Sequence, residues 1–119
     1  MKITVTSQGK DLDSPMDPRF GRAPYILIVD TLNNEVEVLD NSENVNAFKG
    51  AGIQAAVMVS DRGAKVLLTG YCGPNAFKTL SAAGVKVAND VTGTVGDAVI
   101  AYREGKVSFA DGANVEGSW

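Results

Sequence analysis

Residues 2–7, KITVTS, set apolar Ile3 and Val5 in alternation with Thr4 and Thr6, the period-two pattern of a β-strand built on β-branched side chains. Residues 25–31, YILIVDT, form a second, almost wholly apolar strand, and residues 35–40, EVEVLD, alternate strictly. Asn33 and Asn34 between these two suit left-handed turn positions, so the pair reads as a hairpin. From residue 51 the period changes. Residues 51–63, AGIQAAVMVSDRG, predict a helix with Ile53, Ala56, Val57 and Ser60 on its inner face and Gly63 as its stop. Residues 64–68 read as a short buried strand. Residues 74–83 read as a helix with Pro74 at its first position, Ala76, Phe77, Leu80 and Ala83 facing inward, and Gly84 as its end. Residues 85–88 give a further strand. Residues 94–105 give a last helix, with Thr94 and Asp97 as a capping box and Val95, Ala98, Val99 and Tyr102 inward.

The remaining stretches carry no clear period. Residues 8–24, QGKDLDSPMDPRFGRAP, hold three prolines and two glycines and read as a loop of a length that is often functional. Residues 41–50 read as a polar loop. Residues 1–105 form one domain, and residues 106–119 an extension or tail, with a short strand near 107–109.

The order β-ββ-αβαβα is that of an α/β fold with right-handed crossovers between parallel strands. With the hairpin's first strand antiparallel to the N-terminal strand, the other four strands all end at one edge of the sheet. Loops 8–24, 41–50, 69–73 and 89–93 meet there, at the edge where open α/β sheets bind ligands. Three helices start at the same edge, each offering backbone N–H groups and the positive end of its dipole to an anion.

Composition narrows the chemistry. Hydrophobic residues are 45% and charged residues 21% of 119, as in an ordinary globular domain. The net charge of −3 argues against nucleic acid as a partner. The chain has no histidine and one cysteine, which excludes a Ser-His-Asp or Cys-His unit and the usual zinc sets. A single thiol suits a reducing compartment. The start Met1-Lys2-Ile3 shows no signal peptide, and the apolar run 55–59 is far too short to span a membrane. The expected location is cytoplasmic.

Four stretches are candidates for chemistry. In DPRFGR (17–22), Arg19 and Arg22 flank Phe20 and Gly21; they could fork an anion, or simply balance Asp11, Asp13 and Asp17. Phe20 could be a lid or the loop's hydrophobic anchor. In GAGIQ (50–54), Gly50 and Gly52 open a helix, with Gln54 in its first turn, either as a close-approach site or as a plain turn. In TGYCGPNAF (69–77), Cys72 precedes a helix start, where dipole and amides lower a thiol pKa; it could equally be a small buried residue. Gly70 and Gly73 would admit a bulky ligand to the backbone. TGTVGD (92–97) is a further glycine-bearing turn.

Taken together and in this order, DPRFGR, GAGIQ and TGYCGPNAFKTLSAAGVKV resemble the dinitrogenase iron–molybdenum cofactor biosynthesis family, which takes in NifX, NafY, the C-terminal domain of NifB and the orange protein. The resemblance spans about residues 1–104. It implies a ribonuclease-H-like fold, a mixed five-stranded sheet of order 3-2-1-4-5 with strand 2 antiparallel and helices on both faces. It also implies a carrier or scaffold that binds an anionic metal–sulfur cluster or precursor, containing molybdenum or iron, without turnover. The matching positions are Arg19, Phe20, Gly21, Arg22, Gly50, Gly52, Gln54, Cys72, Gly73, Pro74 and Asn75, with Cys72 as the metal contact. One cysteine and no histidine cannot build a four-ligand cage, so the cluster's own sulfides would complete the metal shells. A cofactor donor or acceptor protein and a monomer or weak homodimer complete the expectation. The alternatives are a cofactor-free interaction module and, with no carboxylate in Ile3-Thr4-Val5-Thr6 for a two-metal clamp, far less a nuclease or phosphotransferase.

Overall fold

A computed structural model describes residues 1–45 and 50–110. In chain order the elements are β1 (Lys2–Ser7), β2 (Tyr25–Asp30), β3 (Val36–Asp40), α1 (Ser42–Val45), α2 (Ala51–Asp61), β4 (Val66–Leu68), α3 (Pro74–Ala82), β5 (Lys86–Ala88) and α4 (Val95–Arg103). The five strands form one sheet in the order β3-β2-β1-β4-β5. β2 is antiparallel to both β1 and β3, while β1, β4 and β5 run parallel, so β1, β3, β4 and β5 all end at one edge. In register, Val5 lies between Leu27 on one side and Leu68 on the other. Among the described residues no helix is long and apolar enough to cross a membrane.

Both faces of the sheet are covered, which is why β1, β2 and β4 are apolar or hydroxyl-bearing on both sides. On one face Ile26, Ile28, Leu39 and Leu67 pack against Ala55, Ala56 and Val59 of α2 and Ala76 and Leu80 of α3. On the other Ile3, Val5, Leu27, Val29 and Leu68 pack against Val95, Ala98 and Val99 of α4. The predicted inner faces of α3 and α4 hold, except that Phe77 and Tyr102 are half-buried at the margins and Ala83 is exposed. The predicted face of α2 is rotated. Ala51, Gly52, Ala55, Ala56 and Val59 point inward, whereas Ile53 and Val57 are 38% and 43% exposed. The inner face is built from small residues and Val59, while Ile53 and Val57 stay outside the contact.

One further departure concerns the loop after β3, while the expected pairing near 107–109 is met at Phe109. Residues 42–45 of the expected polar loop form the one-turn helix α1, and residues 46–49 lie outside the described residues. Beyond α4, Phe109 bridges Ala88 and the Ala110 N–H donates to the Val87 carbonyl at 2.7 Å, an antiparallel pairing along the outer side of β5. The rest of the expected tail, residues 111–119, lies outside the described residues.

The long loop 8–24 is stitched to the sheet along its length. Met16 bridges Ser7, Pro15 bridges Thr94, and the Met16 N–H donates to the Gly93 carbonyl at 3.0 Å. Residues 17–20 then run beside residues 70–72. The Tyr71 N–H donates to the Pro18 carbonyl, the Phe20 N–H donates to the Tyr71 carbonyl, and Arg19 bridges Tyr71 in parallel. Gly70 is what permits this approach. A Cβ there would lie 2.8 Å from both the Cβ and the carbonyl oxygen of Pro18, so the space that the sequence offered to a ligand is filled by the protein's own proline. Gly70→Ala is expected to cost about 1–3 kcal/mol, because neither the proline ring nor its backbone can yield. A urea melt reads this as a lowered midpoint with an unchanged slope; an unshifted midpoint contradicts the packing.

Candidate functional site

At the edge where β1, β3, β4 and β5 end, hydrogen bonds join all four predicted loops. Thr6, the next-to-last residue of β1, is the hub. Its hydroxyl donates to the Asp17 carbonyl at 2.6 Å and shares a 3.0 Å hydrogen bond with the Thr69 hydroxyl beyond β4. The Asp17 N–H donates back to the Thr6 carbonyl at 3.1 Å. After β5, the Asp90 and Val91 N–H groups donate to the carbonyls of Gly70 and Thr69. After β3, buried Asn41 donates from Nδ2 to the carbonyls of Gly21 and Ala23 at 3.2 and 2.8 Å. These polar side chains were not singled out by the sequence. Thr, Asp and Asn are common in loops, and only the fold reveals that these are buried.

The turn Arg19–Ala23 stands at the centre of this edge. The Arg22 and Ala23 N–H groups both donate to the Arg19 carbonyl. Arg19 is 55% exposed, and its guanidinium turns back onto the carboxylate of Asp17: Nε–H donates to Oδ1 and Nη2–H to Oδ2, both at 3.4 Å. Arg22 is half-buried on the same turn. Phe20 is 0% exposed in the core beneath α2 and α3, so it anchors the loop and presents no ring to a ligand. That corrects its expected place among the contact residues.

The helix starts divide into two kinds. The first turn of α4 is occupied by the chain itself. Thr94 and Asp97 make the expected capping box, while the Val95 and Gly96 N–H groups donate to the carbonyls of Ser14 and Leu12 at 2.9 and 2.7 Å. An anion would find those donors taken, so the expected third anion-binding start is lost. Neither α2 nor α3 has a side-chain cap. α2 is preceded by Gly50 with φ 81°, a left-handed position that favours glycine; Gly52 is buried and Gln54 exposed in the first turn. α3 is preceded by buried Gly73 and opens with exposed Pro74 and Asn75. Both helices pack on one sheet face and begin at the edge that carries Arg19.

Of its two readings Cys72 takes the second, that of a small buried residue. It is 0% exposed and lies in the core with Phe20, Ala76 and Leu80. Burial pushes its thiol from the ordinary 9.0 up to about 12. Desolvation of a thiolate outweighs the dipole of the nearby helix start, so the expected lowering is reversed. Among the described residues, no group of three or more Cys, Asp or Glu side chains is placed to hold a metal ion. The site's chemistry is therefore that of an exposed guanidinium and backbone N–H donors, which suits an anion held by its periphery.

The comparisons agree with this class of protein. The profile described as dinitrogenase iron–molybdenum cofactor matches residues 1–105, and the chain belongs to that family. It is similar to the orange protein of Desulfovibrio gigas, solved in its apo form, with 46% identity, 96% of each chain covered and a TM-score of 0.93. A candidate NifB protein from Thermotoga is 37% identical, with 98% of each chain covered and a TM-score of 0.83. An uncharacterised protein of Methanocaldococcus jannaschii is 25% identical over 95 residues, covering 77% of this chain and 80% of its own.

The thiol gives a direct check. At pH 8 a rise from 9.0 to about 12 lowers the thiolate fraction about a thousandfold. A thiol reagent should therefore label native Cys72 slower than the urea-unfolded chain by at least that factor. The raised value also sets a sign. Between pH 9.0 and about 12 the unfolded chain releases a proton that the native chain keeps, so stability falls as pH rises through that window and is untouched below it. In melts at pH 8 and pH 10, wild type should lose more stability than Cys72→Ala; equal losses contradict a protonated buried thiol.

Proposed function

We propose that this chain is a carrier or scaffold for an anionic metal–sulfur cluster or cluster precursor, containing molybdenum or iron, and that it binds its cargo without turnover. The observation that carries the reading is the Arg19 turn, which hydrogen bonds with Asn41 and Tyr71 hold at the carboxyl edge of the sheet with its guanidinium half-exposed. Family membership and the likeness to the orange protein, which has an apo form, support it. A sulfide cluster is a large, soft anion that brings its own metal ligands. It asks the protein for positive charge and N–H donors, and a three- or four-thiolate cage is not needed.

In this reading Arg19 and Arg22 supply charge. Gly50, Gly52 and Gln54 open one uncapped helix start, and Gly73, Pro74 and Asn75 the other. Gly21 lets the arginine turn close, and Phe20 fixes it from below. Cys72 supports the floor of the site; to serve as a metal ligand it would have to leave the core and lose its proton. In this reading the fold is ribonuclease-H-like, and the protein would act in the cytoplasm as a monomer or weak homodimer, between a donor and an acceptor of the cofactor.

The test is titration of the apo protein with tetrathiomolybdate, alone and with copper, followed by visible absorption. Wild type and Cys72→Ala should bind. Arg19→Ala/Arg22→Ala should lose on the order of tenfold or more in affinity, as expected for charge-assisted contacts. Absence of binding, or a double arginine variant that binds like wild type, would falsify the proposed site.

A further inference from the structure

The feature of this edge that a simple anion site does not need is Asp17. Among the described residues it is the one buried charged side chain, 2% exposed, and it sits directly against the cation that is to receive the anion. Its backbone cannot move: the Thr6 hydroxyl and the Thr6 carbonyl hold it from both sides. Its carboxylate accepts the Arg19 backbone N–H at 2.9 Å and the two guanidinium donors at 3.4 Å. The pair is therefore asymmetric. The anion is fixed and buried, while the cation is on a long, half-exposed stem.

A buried carboxylate that loses its cation is costly, because the remaining N–H bond does not offset its desolvation. A ligand anion must either pull Arg19 away from Asp17 against that cost, or share the guanidinium while facing the carboxylate's negative charge. In both cases Asp17 weakens binding, and it recaptures Arg19 as the ligand leaves. We propose that Asp17 is an internal counter-ion that competes with the cargo for Arg19, so that binding stays reversible and is reserved for anions whose attraction exceeds that of a buried carboxylate. This rests on the carrier reading above and adds to it a device for release.

Asp17→Asn is the informative variant. Its amide oxygen, in the place of Oδ1, can still accept the Arg19 backbone N–H, while its NH2, in the place of Oδ2, faces Nη2, and the negative charge that holds the guanidinium is gone. With tetrathiomolybdate as the probe, Asp17→Asn should bind on the order of tenfold more tightly than wild type, the size expected for losing a charge-assisted competitor. Transfer of bound thiomolybdate to excess chelator should slow by a similar factor. Adding Arg19→Gln to this variant should abolish the gain. A purely structural role predicts the opposite sign, since a loosened edge binds more weakly. If wild type binds and Asp17→Asn binds equally or less tightly, the counter-ion role is overturned and the carrier reading stands. If neither binds, both fall. A readout on wild type alone keeps the idea testable should the variant fail to fold: saturating thiomolybdate must shift the Arg19 Nε–H resonance in nitrogen-15 spectra, and an unshifted resonance in a loaded protein overturns the exchange.

Discussion

The short hydrogen bond from the Thr6 hydroxyl to the Asp17 carbonyl is the contact on which the rest of the functional edge depends. It joins the end of the central strand to the middle of a seventeen-residue loop, and through Thr69 it reaches the neighbouring parallel strand as well. A loop of that length would otherwise lose its order to conformational entropy. Clamped at Asp17, it lays residues 17–20 beside residues 70–72, and it is there that Phe20 enters the core and the Arg19 turn emerges from it. The hydroxyl is fully buried, so its bonds compete with no water.

That clamp also explains how the edge divides its donors. The first half of the loop spends the carbonyls of Leu12 and Ser14 on the start of α4, which closes that helix to ligands. The second half delivers the arginine turn toward the side where α2 and α3 begin without side-chain caps. A sheet edge with three equivalent helix starts thus becomes one in which the α4 start is taken by the chain itself and the α2 and α3 starts carry no side-chain cap. The side of α2 and α3 holds the half-exposed Arg19 guanidinium above a floor of buried Phe20 and Cys72, whose protonated thiol is part of the packing.

Much of this was legible in the chain as written. The alternation of residues 2–7, the apolar run after residue 25 and the glycine and proline punctuation of the later helices each report a local preference, and local preference survives into the fold. The predicted face of α2 fails because Ile53 and Val57, two of its larger apolar side chains, stay outside, while Val59 turns inward among alanines. Periodicity weighs size, while close packing of a helix on a sheet selects for small residues such as Ala55 and Ala56. The candidate site was legible as a set of loops and glycines that converge, yet the roles within it were not. Phe20 and Cys72 each allow a ligand contact or a buried anchor by sequence, and Gly70 an approach by a ligand; in the fold all three face their own protein.

By itself the sequence determined the strand and helix order, the parallel topology that gathers four loops at one edge, and the absence of histidine and of sister cysteines, because these follow from local periodicity, chain connectivity and composition. Only the tertiary structure decided which groups at that edge meet water and which meet each other. Burial reversed the expected thiol chemistry of Cys72, Pro18 took the space beside Gly70, and a carboxylate two residues from Arg19 became its buried counter-ion. Each of these depends on desolvation and on contacts between segments remote in sequence, which no local pattern of residues records.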